Sequence, residues 1–275
     1  MRIEDYPPQE PPSAIGGPYI VETLRRSAAV QGIEDRYGED VHQGVLAFPA
    51  PQPNGSVLVF QYGGGWTNGY KEMMGFLAPG LNAAGVGLVS AGYRLAPRHT
   101  FPAAFEDSGD AVAWVWRNAA RFGWPRHRIF VGGHSAGGHH AALLAARHDW
   151  QARRGLPRDV IRGCLCIGGS FDLTPGNGFA VRPRFLGPPE QENEVPASPC
   201  FAVQDAPVPL FLSWGENDFP HLIAQARKMA LVQRARGGLV ETFEIAGAEH
   251  ISACYAAGDP GGTWQQRVLA FMEAL

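Results

Sequence analysis

The chain has 275 residues, of which 45% are hydrophobic and 18% are charged. This balance is typical of a globular chain with a large core and argues against extensive disorder. The formal net charge is −3 at pH 7, so we expect no nucleic-acid partner. The sequence contains no run of about 18 apolar residues and no apolar signal core near the N-terminus, so we expect no membrane contact and no secretory signal. A cytoplasmic location is therefore expected.

The four cysteines are Cys164, Cys166, Cys200 and Cys254, and their spacing includes no CxxC pair. Cys164 and Cys166 lie two residues apart in an apolar run, so both side chains would point to the same side of a strand. The pattern favours buried free thiols over disulfides or a zinc site.

Apolar runs bounded by turn-forming residues predict the strands, and apolar residues at helical spacing predict the helices. The predicted strands are 40–48, 56–62, 85–93, 128–133, 160–169, 208–214 and 239–247. The predicted helices are 21–31, 72–85 with an interruption near Pro79, 105–122, 136–147, 219–236 and 263–275. Apolar strands that alternate with helices indicate an α/β fold with a mostly parallel central sheet and helices on both faces.

Two segments stand apart from this alternation. Residues 1–31 form an N-terminal arm or cap, whose first 18 residues hold five prolines and are expected to be extended. Residues 175–209 hold eight prolines and three glycines, and such a long irregular stretch within a domain is usually a functional loop. We predict one domain, 1–275, with residues 175–209 as a lid-like insertion that serves as a minimal cap.

The most specific motif is Gly133-His134-Ser135-Ala136-Gly137, which fits G-x-S-x-G between a predicted strand and a predicted helix. In this context the pattern is typical of a nucleophile elbow, a sharp turn that lifts the serine above the sheet. The helix that follows adds positive potential where an oxyanion would form. The alternative interpretation is a glycine-rich turn with an incidental serine.

A serine nucleophile needs an adjacent base, and nine histidines compete for that role. In enzymes with this elbow, the acid and then the histidine follow the serine along the chain. His250 follows the strand 239–247, where the carboxyl edge of a sheet would present it. His148 and His221 also follow the elbow, but the first ends a predicted helix and the second begins one. We therefore predict His250 as the base.

The acid that orients this base is predicted to be Asp218, directly after the strand 208–214. Asp218 lies 250 − 218 = 32 residues before His250, enough for one helix and one strand. Glu216 and Asp172 are rival acids, but both are more typical of turns or caps.

The glycine run Tyr62-Gly63-Gly64-Gly65-Trp66 follows another predicted strand. Consecutive glycines allow backbone N–H groups to approach a ligand closely. At this place they would complete an oxyanion hole whose first donor is the N–H of Ala136. A phosphate loop is the alternative, but neither nucleotide-binding glycine pattern is present, and no HExxH motif indicates a metal. We expect no cofactor and no metal.

Together these motifs resemble the α/β-hydrolase fold, and within it the hormone-sensitive-lipase-like esterases and the kynurenine formamidases. The esterases carry HGGG, a YRLAPE-type segment and GDSAGG, whose counterparts here are residues 62–65, 93–107 and 133–138. The formamidases carry an HGG-x-W loop, a GHSAG elbow and a short N-terminal arm, and the tail at 258–272 is similar to theirs. The resemblance implies that Gly64, Gly65 and Ala136 are the oxyanion donors. One departure is Tyr62, which replaces the histidine that braces the loop in the family.

The sequence therefore predicts a serine hydrolase with the triad Ser135, His250 and Asp218 that acts on small, short-acyl carboxylic esters. One alternative is an arylformamidase-type amide hydrolase, and another is a non-catalytic binding protein on the same fold. Aromatic residues near predicted loop ends suggest a substrate pocket. These residues are Trp66, Tyr70, Phe171, Trp214 and Phe219. The protein could also form a homodimer, in which the partner is a second copy of the chain.

Overall fold

The computed structural model describes residues 2–181 and 183–275. In these residues eight strands form one sheet. They are β1 (Ile33–Arg36), β2 (Gly44–Phe48), β3 (Ser56–Gln61), β4 (Val86–Ala91), β5 (Ile129–His134), β6 (Ile161–Ile167), β7 (Leu210–Gly215) and β8 (Val240–Ile245). The strand order is β1-β2-β4-β3-β5-β6-β7-β8. Strands β3 to β8 pair in parallel, whereas β1 and β2 are antiparallel to their neighbours. The predicted α/β fold with a mostly parallel sheet is confirmed.

Strand β1 was not among the predicted strands. Its sequence, Ile-Glu-Asp-Arg, has a single apolar residue and no apolar–polar alternation, and most of it is exposed. It forms because β2 offers an unpaired edge, and Ile33 pairs with Ala47 in register. Backbone pairing at a sheet edge thus overrides weak intrinsic strand propensity.

Helices cover both faces of the sheet. They are α1 (Gly16–Ser27), α2 (Ala78–Ala83), α3 (Ala103–Phe122), α4 (Ala136–Ala146), α5 (Pro199–Ala202), α6 (Pro220–Ala235), α7 (His250–Ala256) and α8 (Thr263–Glu273). The first helix begins five residues before the predicted 21–31, since Pro18 is tolerated in a first helical turn. The predicted helix 72–85 is instead a 3-10 run over Lys71–Leu77 followed by α2. The sequence patterns missed α7, which begins at the predicted base.

The core lies in two layers, one on each face of the sheet. Along β5, Ile129 and Val131 belong to the layer that includes Val112 of α3, and Phe130 belongs to the layer that includes Phe271 of α8. This alternation follows from the two-residue period of a strand. Because both faces are buried, the strands are apolar throughout rather than alternating with polar residues.

All four cysteines are free and buried, as predicted. The sulfur atoms of Cys164 and Cys166 lie 3.6 Å apart on one side of β6. Among the helices of residues 2–181 and 183–275, none combines the length and the apolar character that crossing a membrane requires.

The N-terminal arm is fixed to the body by a buried lysine. Lys71 is 2% exposed, and its ammonium lies 2.9 Å from the Tyr6 hydroxyl and 2.6 Å from a Glu72 oxygen. The arm has a short 3-10 turn at Ile3–Asp5 and then runs without regular structure to α1. The division into a single domain with an arm over 1–31 and an insertion over 175–209 stays a prediction; Met1 and Arg182 lie outside the described residues.

Candidate active site

Ser135 lies at a strained turn between β5 and α4. Its φ is 54° and its ψ is −117°, a backbone conformation that non-glycine residues rarely adopt. Within residues 129–146, every residue except Ser135 is buried. The turn therefore leaves Ser135 half-buried between a fully buried strand and a fully buried helix.

Small neighbours make this turn possible. A Cβ atom at Gly133 would lie 2.3 Å from the carbonyl carbon of Gly137, and a Cβ atom at Gly137 would lie 2.2 Å from the Gln61 carbonyl oxygen. Such distances are shorter than any real carbon contact. Both positions of the G-x-S-x-G motif are thus restricted to glycine by the close approach of β5, α4 and the end of β3.

His250 and Asp218 form a buried pair at the carboxyl edge of the sheet. Asp218 lies in the turn after β7, and His250 is the first residue of α7 rather than a loop residue, because Glu249 caps that helix. The His250 Nδ1 and Asp218 Oδ1 atoms lie 2.9 Å apart. A carboxylate oxygen accepts, so Nδ1 carries the proton and Nε2 is free to act as a base.

The electrostatics of Asp218 keep it ionised. Burial alone would raise its pKa, but the hydrogen bond and charge of His250 and the hydrogen bond from the Phe219 N–H outweigh burial and hold the pKa below its ordinary value. A Cβ atom at Gly168 would lie 2.9 Å from His250 Nδ1 and 3.0 Å from Asp218 Oδ2. Glycine at 168 thus leaves room for the pair.

The rival acids have other partners. Glu216 accepts a hydrogen bond from the Gly247 N–H at 2.7 Å, and Asp172 pairs with the Lys228 ammonium at 2.5 Å. Both carboxylates therefore stabilise local structure, consistent with the prediction that they serve turns or caps.

Ser135 and His250 lie on the wall of one cavity of about 250 Å³. The described lining residues are Pro11, Ser13, Ile15, Gly16, Tyr19, Ile20, Gly64, Gly65, Thr67, Asn68, His134, Ser135, Arg184, His250 and Ile251. In the described part of the chain the Ser135 hydroxyl makes no hydrogen bond, and catalytic hydrogen bonds often tighten only when substrate binds. The cavity thus brings together the predicted nucleophile, the predicted base and the glycine loop.

His134 contacts the backbone of the predicted base, His250. Its Nε2 lies 3.0 Å from the His250 carbonyl oxygen, and its Nδ1 lies 3.1 Å from the Tyr19 hydroxyl. A carbonyl only accepts, so Nε2 carries the proton and Nδ1 accepts from Tyr19. Burial, aided by the charge of His250, lowers the pKa of His134 to about 3, so the ring is neutral. The sequence analysis did not assign this role to His134 or Tyr19.

The glycine loop presents two backbone N–H groups to the cavity. The φ angles of Gly64 and Gly65 are 146° and 60°, and a Cβ atom at Gly64 would lie 2.0 Å from the Asn68 carbonyl oxygen. Within residues 2–181 and 183–275, neither the Gly64 nor the Gly65 N–H donates a hydrogen bond. Ala136, the third predicted donor, is the first residue of α4 and is not among the described lining residues of the cavity, so the oxyanion hole stays a prediction.

Tyr62, which stands where the resembling family has a histidine, packs against Tyr93. The rings of Tyr62 and Tyr93 stack with centroids 4.5 Å apart. The Tyr93 hydroxyl donates to the Tyr62 carbonyl at 3.0 Å, and the Tyr62 hydroxyl donates to the Tyr93 carbonyl at 3.4 Å. Both rings are fully buried. This reciprocal contact holds the start of the glycine loop, so the Tyr62 hydroxyl braces it.

The N-terminal arm and Arg184 of the 175–209 insertion line the cavity. The Gln9 side chain accepts from the Gly69 N–H at 2.8 Å and donates to the Gly69 carbonyl at 3.0 Å. The Arg184 guanidinium reaches across to a Glu10 carboxylate at 3.0 Å. Residues 11–20 then form one wall. The arm is therefore a component of the site, which local sequence patterns did not indicate in detail.

The five aromatic residues predicted to line the pocket lie elsewhere, and the described cavity wall includes none of them. Burial is the reason for three of them: Trp66, Phe171 and Trp214 pack in the core. Tyr70 packs against Tyr6 with ring centroids 4.9 Å apart. Phe219 is 41% exposed, and its ring lies 5.3 Å from the His250 ring.

Among the described residues that line the cavity, Arg184 is the only lysine, arginine, aspartate or glutamate. In residues 2–181 and 183–275, no three His, Cys, Asp or Glu side chains are grouped so that they could hold a metal ion. The polar groups of the described wall are therefore hydroxyls, two imidazoles, an amide and one guanidinium.

A family model described as alpha/beta hydrolase fold matches residues 58–253. Similar curated proteins include three from Mycobacterium tuberculosis. Carboxylesterase NlhH is 42% identical over 101 residues, 35% of this chain and 31% of that protein. Esterase LipC is 30% identical over 254 residues, 85% of this chain and 62% of that protein. Esterase LipQ is 29% identical over 92% of this chain and 63% of that protein. The chain thus spans less than two thirds of the length of these relatives.

Solved structures share the fold. An esterase from Pyrobaculum calidifontis matches with a TM-score of 0.74 and 22% identity, over 94% of this chain and 92% of that one. The carboxylesterase EstE1, cloned from a metagenomic library, matches with a TM-score of 0.73 and 22% identity, over 96% of both chains.

Proposed function

The chain belongs to the α/β-hydrolase fold family, and on that premise we propose that it is a serine carboxylesterase. One observation carries the proposal. Ser135 is the only residue of 129–146 that is not fully buried, and it shares a cavity with His250, whose Nδ1 is held by Asp218 at 2.9 Å. A hydroxyl, an oriented imidazole and a buried carboxylate are the components of acyl transfer through a serine.

In the proposed mechanism the Ser135 oxygen attacks the ester carbonyl carbon. His250 Nε2 takes the hydroxyl proton and then delivers it to the leaving alkoxide. Asp218 stabilises the imidazolium that forms between these steps. The N–H groups of Gly64, Gly65 and Ala136 stabilise the oxyanion. Water then attacks the acyl-enzyme with His250 as base, which releases the acid and restores Ser135.

Cavity size supports small substrates. Pockets for drug-sized ligands usually measure about 300–1,000 Å³, whereas this cavity measures about 250 Å³. Proline and isoleucine residues of the arm, such as Pro11, Ile15 and Ile20, supply much of its wall. We expect the ratio kcat/KM to be highest for p-nitrophenyl esters of about two to four acyl carbons, because a small cavity contacts only a short acyl chain along its whole length.

The test measures hydrolysis of p-nitrophenyl acetate together with labelling by a fluorophosphonate probe. The wild-type chain is expected to do both, and the Ser135→Ala variant is expected to lose probe labelling and at least about 10³-fold in kcat. Ser13 is a second serine on the same cavity wall, so Ser13→Ala is the matched control for labelling and should still be labelled by the probe. Equal labelling of wild type and Ser135→Ala would refute the assignment.

The arylformamidase alternative needs the same triad and stays a prediction. Comparing kcat/KM for a p-nitrophenyl ester with that for N-formylkynurenine separates the two functions. A wild-type chain that the probe fails to label would favour the binding-protein alternative. A cytoplasmic location and a homodimer also stay predictions, and light scattering of the purified chain tests the second.

A further inference from the structure

A buried histidine joins the nucleophile helix to two other segments. His139 lies one turn after Ser135 on α4, and its backbone N–H donates to the Ser135 carbonyl at 3.0 Å. Its ring is fully buried. Nδ1 lies 3.1 Å from the Trp66 indole nitrogen, and Nε2 lies 2.7 Å from the Ala197 carbonyl oxygen. The glycine loop and the 175–209 insertion therefore both bind one imidazole.

The partners determine the tautomer of His139. An indole N–H only donates and a carbonyl only accepts, so Nδ1 is the acceptor and Nε2 carries the proton. Burial lowers the pKa of His139 to about 4, so the ring stays neutral near pH 7. Protonation at Nδ1 would remove the acceptor that Trp66 needs.

Trp66 is held in a conformation that it would not adopt alone. Its φ is 64°, directly after Gly65 at 60°, and a positive φ is unfavourable for a non-glycine residue unless the surroundings impose it. Three contacts impose it here. The indole donates to His139, the ring stacks on Phe185 with centroids 4.6 Å apart, and the carbonyl accepts from the Ala96 N–H at 3.0 Å.

We propose that His139 is a positioning residue for the oxyanion hole. By holding the Trp66 indole, its ring fixes the preceding N–H groups of Gly64 and Gly65 relative to the elbow that carries Ser135. The inference rests on the proposed function, because it concerns the oxyanion hole of the same hydrolysis. The role is specific to the Nδ1 contact, and the Ala197 contact only orients the ring.

Two substitutions separate the two contacts. In His139→Asn the amide oxygen replaces Nδ1 and keeps the acceptor for Trp66, whereas in His139→Gln the amide nitrogen replaces Nε2 and keeps the donor to Ala197. Both variants lose the aromatic ring, so core packing is perturbed in each. We expect His139→Gln to lower kcat for p-nitrophenyl acetate by about 10- to 100-fold with KM within about threefold, since misplacing catalytic groups by about 1 Å costs that much.

His139→Asn is the rescue variant and is expected to keep kcat within about threefold of wild type. A third variant, Trp66→Phe, removes the donor and should match His139→Gln. The double variant Trp66→Phe with His139→Gln should then be no slower than either single one, because both remove the same contact. Thermal melts of all variants show whether each is folded at the assay temperature.

The outcomes distinguish this inference from the proposed function. Equal kcat for His139→Asn and His139→Gln, or effects of Trp66→Phe and His139→Gln that multiply, would overturn the positioning role while Ser135-dependent hydrolysis stands. Hydrolysis that does not depend on Ser135 would overturn the proposed function itself. A low kcat in His139→Gln with rescue by His139→Asn supports the inference.

Discussion

Three buried histidines should make this fold sensitive to mild acid. His134, His139 and His140 are fully buried, and burial lowers the pKa of each, to about 3 for His134, to about 4 for His139 and well below its ordinary value for His140. In the unfolded chain each ring has a pKa of about 6.5. Between these values the unfolded state binds more protons, so the free energy of unfolding falls as pH falls.

The magnitude follows from the pKa difference. At pH 5 the folded rings of His134 and His139 are still largely neutral, whereas the unfolded rings are protonated. Over the roughly 1.5 pH units between 6.5 and 5, at about 1.4 kcal/mol per unit, each of these two rings destabilises the fold by about 2 kcal/mol. The two rings together give about 4 kcal/mol, a large part of the usual total of about 5–15 kcal/mol, and His140 acts in the same direction. Carboxylates such as Asp218, whose pKa lies below its ordinary value, lose their contribution only at lower pH.

Urea denaturation at pH 7 and at pH 5 measures this difference. The matched variant is His140→Leu, because neither ring nitrogen of His140 has a hydrogen-bond partner in the described part of the chain. We expect the variant to be at least as stable as wild type at pH 7 and to lose less stability than wild type between pH 7 and pH 5. A wild-type difference below about 2 kcal/mol, or an identical difference in the variant, would refute the reasoning.

Three further predictions concern the site. Asp218→Asn should lower kcat by about 10³- to 10⁴-fold, because an amide favours the wrong tautomer of the base, and steady-state kinetics with unchanged circular dichroism would show it. Gly64→Ala should lower kcat by at least about 10²-fold, because its Cβ would lie 2.0 Å from the Asn68 carbonyl oxygen; near-normal kcat would contradict the placement of the N–H. Tyr93→Phe should cost about 1 kcal/mol in the urea-derived free energy of unfolding, because the Tyr62 carbonyl loses its 3.0 Å partner; no loss would show that water replaces the hydroxyl.

Local patterns predicted the parts of this protein whose signals are local. The apolar strands, the Ala-rich helix after Ser135 and the G-x-S-x-G turn each depend on spacing and residue size over a few positions. The sequence also predicted that Ser135, Asp218 and His250 form a triad, because each follows a strand and the carboxyl ends of parallel strands meet at one edge of the sheet. Strand β1 was missed because its pairing depends on a neighbouring edge rather than on its own residues.

The cavity wall depends on contacts between residues far apart in the chain. The five aromatic residues expected there lie near the ends of predicted strands or loops. Their side chains are instead buried in the core or packed on neighbouring rings, so they do not line the described wall. Residues of the arm occupy the wall instead, because contacts such as Gln9 with Gly69, 60 positions later, fold the arm over the site. The sequence by itself determined the fold class and which groups could react. Only the tertiary structure decided what surrounds them, since packing between distant segments leaves no periodic signal in the chain.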